Sequence, residues 1–407
     1  MLYRLITIFL WPLLFIYTAK IALRDKSLRY FFQRLGFAYP NSFKKTVWIH
    51  CASVGETNTY MPLHLKLVKK LPDTNFVITT NTCTGANTVN RHAAPRTSHC
   101  YLPIESSFAI KRFLKAWKPQ QCLIMETEIW PLLYRRCHQQ NIPLSIMNAR
   151  LSHRTLNTSN WIRSQYKKAL KNVDKILCKS EAEANNFRSL GADKNKLFIA
   201  GNLKFTYIEN KTDIPNIDLN KRVYCVAAST HNNEEQQLAQ CWIKLSTTHL
   251  LVIVPRHPNR SEQIQKQLKQ LNINYAVRSL QQAITQQTQV YLADTLGELN
   301  QFMNAAEFVF IGGSLIKHGG QNLLEPARLG KAIVCGPHMF NFADETELLL
   351  KHRACIQVNN LNELEATFMK LLEQPEICSE LGASAKTTLD LQSDILNTYL
   401  KLLFNHC

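Results

Sequence analysis

Acidic residues are scarce in this chain of 407: 30 Asp and Glu stand against 48 Lys and Arg, a formal net charge of +18. A positive excess of that size favours an anionic partner, whether a phosphorylated small molecule, acidic lipid head groups or nucleic acid. Nucleic acid has little else behind it, because no RNP-type aromatic motif, zinc pattern or arginine-rich tail is present. Twelve cysteines occur without a single C-x-x-C, and several lie inside apolar runs. That pattern excludes a zinc ribbon and a disulfide framework, and reads as small buried hydrophobes in a reducing compartment. H-E-x-x-H, D-x-D and paired-His spacings are missing, so no metal is nominated. G-x-G-x-x-G and G-x-x-x-x-G-K-[ST] are missing too, which weakens dinucleotide and ATP readings. There is no low-complexity tract and no short-period repeat, and at 45% hydrophobic and 19% charged residues the composition is that of a globular protein.

One stretch lacks charge altogether. Residues 5–19, "LITIFLWPLLFIYTA", are flanked by Arg4 and Lys20. The run is shorter than the roughly 20 residues that span a bilayer squarely, though snorkelling by the flanking cations extends its reach. No small-residue cleavage motif follows, which argues against a removable signal peptide. The next segment, "KIALRDKSLRYFFQRLGF", interleaves Lys20, Arg24, Lys26, Arg29 and Arg34 with aromatics, as expected of a cytoplasmic flank on anionic lipid. We therefore expect a membrane anchor over residues 1–23 and a body on the cytoplasmic face, with a buried N-terminal helix as the competing reading.

The length predicts two domains. From residue 47 short apolar runs alternate with amphipathic segments, the pattern of βαβ units and a parallel sheet. Strands are predicted at 47–50, 76–80, 122–125, 144–148, 175–178 and 197–200, then again at 223–228, 250–254, 290–293, 308–311, 332–335 and 355–358. The polar, Pro-containing segment 209–220, "ENKTDIPNIDLN", reads as a linker. The expectation is an α/β protein with a first doubly wound domain over 24–208 and a second over 221–407 that includes the C-terminal helices. A cleft would lie between them. In such sheets ligands bind outside the carboxyl ends of the strands.

Polar residues gather at those ends. Glu56 in "CASVGET" follows the first strand, either as a helix-start carboxylate or as a base. Glu126 and Glu128 in "METEIWP" follow the third predicted strand and share a face if that strand continues. Such carboxylates suit general-base work or stabilisation of a cationic transition state. Arg150 and Arg154 in "NARLSHR", and Lys204 in "GNLKF", are cations that could hold carboxylate or phosphate. In the second half, Ser229, Thr230 and His231 in "AASTHNNEE" are an anion site or an ordinary N-cap. Arg256 and His257 follow a strand and precede Pro258 in "VPRHP", and Gly297 and Glu298 in "DTLGEL" open a helix. In "IGGSLIKHGGQNLLEP", Gly312-Gly313 and Gly319-Gly320 predict a loop of free backbone N–H groups able to cradle a phosphate, with a helix over 322–328 behind it. Glu325 could accept from ribose hydroxyls. A two-domain nucleotide-sugar glycosyltransferase fits this division, with the second domain holding the nucleotide.

"SVGET", "TTNTCTG", "METEIWP", "NARLSHR", "GNLKF", "STHNNEE", "VPRHPNR", "DTLGEL", "GGSLIKHGGQN", "LEPA" and "GPHMFNF" occur in an order that closely resembles the 3-deoxy-D-manno-octulosonic acid (Kdo) transferases of Gram-negative bacteria. The resemblance runs from the N-terminal segment to at least Phe342. It implies two Rossmann-like domains facing a cleft (the GT-B type of glycosyltransferase), CMP-Kdo as donor and the tetra-acylated lipid A precursor lipid IVA as acceptor, in lipopolysaccharide biosynthesis at the bacterial inner membrane. Neither a cofactor nor a metal nor an obligate protein partner is implied. By motif, Glu56 is the base, Glu126 and Lys204 stabilise the transition state, and CMP is held by Pro255, Arg256, Leu296, Gly297, Glu298, Asn322, Leu323, Leu324 and Glu325. Leu323 stands where relatives often carry Pro. Other readings of the residues are a transferase for another sugar, such as a hexosamine or sialic acid, and a basic membrane scaffold on an inactive transferase fold.

Overall fold

The computed structural model describes residues 7, 9–40, 45–92, 94–206, 217–245 and 248–404, except for the side chain of His153. The chain divides into two compact units, one formed by Met1–Glu209 with Ser393–Cys407 and the other by Asn210–Gln392. Each is built on a seven-stranded, fully parallel sheet.

In the first unit the strands are β1 (Thr46–His50), β2 (Asn75–Thr80), β3 (Thr97–Tyr101), β4 (Pro119–Met125), β5 (Leu144–Ala149), β6 (Lys175–Cys178) and β7 (Leu197–Ile199), in the order β3-β2-β1-β4-β5-β6-β7. The central strands β1 and β5 are buried at every position, as a sheet covered on both faces requires. The order reverses direction at β1/β4, which makes the crevice beyond those two strand ends the expected ligand position.

The second unit has β8 (Tyr224–Thr230), β9 (Leu250–Pro255), β10 (Tyr275–Val277), β11 (Val290–Leu292), β12 (Phe308–Ile311), β13 (Ala332–Cys335) and β14 (Ile356–Gln357), ordered β10-β11-β9-β8-β12-β13-β14. Its reversal lies at β8/β12. All twelve predicted strands are present, and β3 and β10 are additional.

The division departs from the sequence reading at the C-terminus. The helix Pro375–Asp390 stays with the second unit, whereas the last helix, Ile395–Phe404, belongs to the first. It packs on the helix Val54–Lys70. Of the predicted linker, residues 209–216 lie outside the described residues, as do residues 1–6 and 8 of the predicted anchor. Trp11–Arg24 is a helix that exposes Trp11, Leu13, Ile16, Tyr17 and Leu23. Among the described residues no helix is long and apolar enough to cross a membrane. The described cysteines are free thiols and all but Cys83 are buried, in keeping with their apolar surroundings in the sequence.

Candidate active site

Glu56 lies in the first turn of the helix Val54–Lys70, directly after β1. Ser53 caps that helix by accepting from the Glu56 N–H (3.3 Å), and its hydroxyl donates to Oε1 of Glu56 (3.2 Å). The Ala52 N–H donates to Oε2 (2.8 Å). This is a variant of the reciprocal capping box, so the helix-start reading of the carboxylate is structurally real. It does not exhaust the residue. Burial, with the charges of Glu126 and Glu128, pushes the Glu56 carboxyl up against the pull of the Ala52 and Ser53 donors, and the net is a rise to about 8. A carboxylate near the pH of its surroundings is what a general base needs.

Glu126 and Glu128 do not share a strand face. β4 stops at Met125 because Glu126 turns left-handed, with φ of 57°, a conformation costing about 1 kcal/mol for a residue with a Cβ. Its N–H still donates to the Met147 carbonyl (2.9 Å). Buried Oε2 of Glu126 takes both Nε (2.7 Å) and Nη2 (2.6 Å) of Arg150. Glu128 turns elsewhere. Its Oε2 accepts from Trp130 Nε1 (2.9 Å) and lies 3.6 Å from Nε2 of the buried His50. Burial raises the Glu128 carboxyl, but His50, Trp130 and Asn81 together outweigh it and hold it below the ordinary value. Arg34 extends the group by donating to Asn81 Oδ1 (3.1 Å) and to the Leu102 carbonyl (2.7 Å).

Lys204 sits on the single turn Leu203–Phe205 after β7, and this turn also packs on the Glu56 helix. The Asn202 side chain accepts from the Lys204 N–H (3.0 Å), and Asn148 Oδ1 accepts from the Leu203 N–H (3.0 Å). Asn148, at the end of β5, is left-handed with φ of 49°. Glu56 and Glu126, after β1 and β4, lie close enough for their charges to interact, and the turn bearing Lys204 packs on the Glu56 helix in the same unit. Arg154, further along "NARLSHR", is exposed.

In the second unit the predicted phosphate cradle is already filled. Glu234, fully buried, accepts from the N–H groups of His231 (2.9 Å), Gly313 (2.6 Å), Ser314 (3.0 Å) and Leu315 (3.0 Å). Gly312 N–H goes to the Ala228 carbonyl and Gly320 N–H to that of Gly313. Of the four glycines expected to offer free donors, Gly312, Gly313 and Gly320 therefore have theirs engaged within the chain. Thr230 is likewise no anion site or cap, since its hydroxyl donates to Glu235 (3.0 Å), which Arg260 also clamps (2.7 and 3.1 Å). The helix Glu234–Lys244 starts from Asn233 without a side-chain cap.

Three imidazoles gather beside this structure. His231 lies against His318 with the rings tilted by 32° (centroids 3.8 Å apart) and meets His257 edge-on (5.9 Å). Gln321 Nε2 lies 2.8 Å from Nε2 of His231. Burial, then the charges of His318, His257, Arg260 and Arg256, depress His231 to about 4. Pro255 ends β9, and exposed Arg256 bonds Thr230 through its N–H (3.0 Å). The helix behind the loop is shorter than predicted, Leu324–Arg328, and Asn322 fastens its start by accepting from Leu324 N–H (3.1 Å) and donating to Glu325 (3.0 Å). Leu323 and Leu324 are buried, which leaves only their backbone for a ligand. Leu296 is 80% exposed, and Gly297 is left-handed (φ 89°) in open space. Glu298 is held below its ordinary value by Arg278, which grips both its oxygens (2.7 and 3.3 Å). With Arg278 and Tyr291, Leu296 and Glu298 line a cavity of about 840 Å³. Among the described residues no group of three or more His, Cys, Asp or Glu side chains is placed to hold a metal ion.

Sequence reasoning missed His50, Asn81, Asn202, Arg260 and Arg278. Only Asn81 and Asn202 carried a signal, since each stands at or just past a strand end inside a recognised motif.

The comparisons agree with the geometry. A family profile described as 3-Deoxy-D-manno-octulosonic-acid transferase (kdotransferase) matches residues 29–207. The 3-deoxy-D-manno-octulosonic acid transferase of Haemophilus influenzae is 32% identical over 367 residues, covering 88% of this chain and 86% of that one. The enzyme of the same description from Rickettsia typhi is 32% identical over 346 residues, covering 80% and 71%. A glycosyltransferase of solved structure from Rickettsia africae shares the fold at a TM-score of 0.57 and 12% identity, covering 89% of this chain and 100% of that one. The resemblance carried by the ordered motifs is thereby borne out, and the chain belongs to the 3-deoxy-D-manno-octulosonic acid transferase family of glycosyltransferases, built on two parallel-sheet Rossmann-like domains.

Proposed function

We propose that the protein transfers Kdo from CMP-Kdo to a hydroxyl of lipid IVA, releasing CMP, and that it adds one Kdo and then a second. Glu56 takes the proton of the acceptor hydroxyl as the oxygen forms its bond to the anomeric carbon and the bond to the CMP phosphate breaks. One base and no covalent intermediate correspond to inversion at that carbon, through an oxocarbenium-like state. Glu126, oriented by Arg150, faces the developing positive charge. Lys204 offsets the negative charge of the departing phosphate. Arg256 and Pro255, the Leu296–Glu298 loop and the Asn322–Glu325 segment hold CMP, with no cofactor and no metal in the scheme. The acceptor is a lipid, so the reading places the protein on the cytoplasmic face of the bacterial inner membrane. The exposed apolar residues of Trp11–Arg24 and the neighbouring Lys20, Arg24 and Lys26 support that placement.

The observation that carries this reading is the pairing of a half-buried Glu56, tied by only two hydrogen bonds, with a clamped Glu126 at the reversal of the sheet. Mass spectrometry of purified protein with CMP-Kdo and tetra-acylated lipid A precursor tests it. A gain of one or two Kdo masses, lost in Glu56→Gln, is the expected result. No product from folded wild type, but product from another nucleotide sugar, would reassign the donor.

A further inference from the structure

We propose that Tyr399, near the end of the chain, is a positioning residue for the Lys204 turn and sets the rate of transfer without touching either substrate. The inference rests on the reading that Lys204 acts in the reaction. The turn that carries Lys204 has its own local hydrogen bonds and buries Leu203 and Phe205, but little strand leads into it. It follows β7, a three-residue strand at the edge of the sheet with no fully buried position. A further tie comes from about 200 residues away. The Tyr399 hydroxyl donates to the Gly201 carbonyl (3.1 Å) and accepts from the Asn148 N–H (3.0 Å). Asn148 in turn accepts from the Leu203 N–H (3.0 Å). Both hydrogen-bonding functions of the phenol are thus used on backbone groups, and each group flanks a left-handed residue: Gly201 at φ 86° and Asn148 at φ 49°.

The seating is close. A Cβ at Gly201 would come within 2.8 Å of Ile395 Cγ1, so the C-terminal helix rests directly on the glycine. Tyr399 is completely buried, and that burial raises its phenol, which keeps the donating proton in place. The same helix packs on the helix that bears Glu56, where Lys66 Nζ donates to Asn397 Oδ1 (3.4 Å). Through Asn148 it also reaches β5, whose Met147 carbonyl accepts from the Glu126 N–H. The helix thus meets the element bearing the base by packing and the turn bearing the cation through the Tyr399 hydroxyl, and Tyr399→Phe removes only the second. The ring alone would fill the space; the hydroxyl serves only the two loops.

The test uses full-length protein in the transfer assay, with steady-state kinetics and thermal melts. Tyr399→Phe is expected to lower kcat about tenfold, since small displacements of a catalytic group carry losses of that order, with KM for CMP-Kdo within about twofold. Asn148→Gly keeps the left-handed backbone, deletes the acceptor for Leu203, and is expected to reproduce the same split if Tyr399→Phe folds poorly. In a Lys204→Ala background Tyr399→Phe should cause no further loss, because residues acting as one unit are non-additive. Unchanged kcat in folded Tyr399→Phe and Asn148→Gly, with only a lower Tm, would overturn the proposal and leave a purely structural tyrosine. An undiminished tenfold loss in the Lys204→Ala background would overturn it too. Wild-type turnover in Lys204→Ala alone would instead remove the reading of Lys204 on which the proposal stands, whatever Tyr399 does.

Discussion

Each sheet places a glutamate in the first turn of the helix that follows its first strand, next to the reversal of strand order. The two have opposite fates. Glu56, after β1, receives two donors, remains half-buried and is pushed up to about 8. Glu234, after β8, receives four backbone N–H groups, is fully buried and has no capacity left for a ligand. Its neighbour Glu235 is equally saturated by Arg260 and Thr230. What separates the two carboxylates is not their place in the topology but the acceptor capacity left on each, which on the proposed reading lets Glu56 act as a base. In the second unit the anion that a glycine loop would seek is supplied by the chain itself, and the loop is ordered before any nucleotide arrives.

The largest effect expected from breaking this contrast is at Glu56. Glu56→Gln should lower transfer about 1,000-fold, within the range for loss of a general base, while CMP binding measured by calorimetry stays near wild type. Near-normal turnover would remove its role as base. At Glu235 the same kind of change should appear in stability. Arg260→Ala strands a buried carboxylate, a loss of about 3 kcal/mol, to be read as a lower Tm; an unchanged melt would show that Glu235 does not depend on its clamp.

Smaller effects sharpen the comparison. Arg256→Ala should weaken CMP about tenfold, the worth of one charge-assisted contact, and unchanged affinity would move the phosphate elsewhere. The smallest is a shift in pH dependence. Glu56 works as a base only when deprotonated, so kcat/KM should rise as pH approaches about 8 and flatten above it. Glu128→Gln removes one of the negative neighbours that raise Glu56, so the limb should move about half a unit toward lower pH. A limb that stays in place would mean that burial and Glu126 alone set the base.

Much of this fold was legible in the sequence because parallel strands buried on both faces are written as apolar runs. Val47–Trp48–Ile49 and Leu250–Leu251–Val252 could hardly be anything else. β3 was not legible: its "TSHCY" is an edge strand beginning with partly exposed Thr97 and exposed Ser98, and it packs through His99 and Cys100. β10 has only three residues. Glu56, Glu126 and Lys204 stood out because each interrupts an apolar run where a strand ends. Their supports did not, since hydrogen bonding between Asn148 and Tyr399 joins residues 251 apart and leaves no local pattern. The misjudged glycine loop has the same cause. Glycines announce available N–H groups, but only the folded chain shows that Glu234, about 80 residues earlier, has taken those of Gly313, Ser314 and Leu315.

The return of the Ile395–Phe404 helix to the first unit also orders events during synthesis. All seven strands of that unit leave the ribosome by residue 199, yet the helix that completes its packing emerges about 200 residues later. At common elongation rates that is a delay of roughly 10–40 s. Through that interval the Glu56 helix and the Lys204 turn lack the helix that packs on one and hydrogen-bonds beside the other, so on the proposed reading the site is unfinished. A chain cut short anywhere before residue 395 is left in the same condition. Assembly of the proposed site thus waits on the Ile395–Phe404 helix, and its timing follows that helix rather than the sheet.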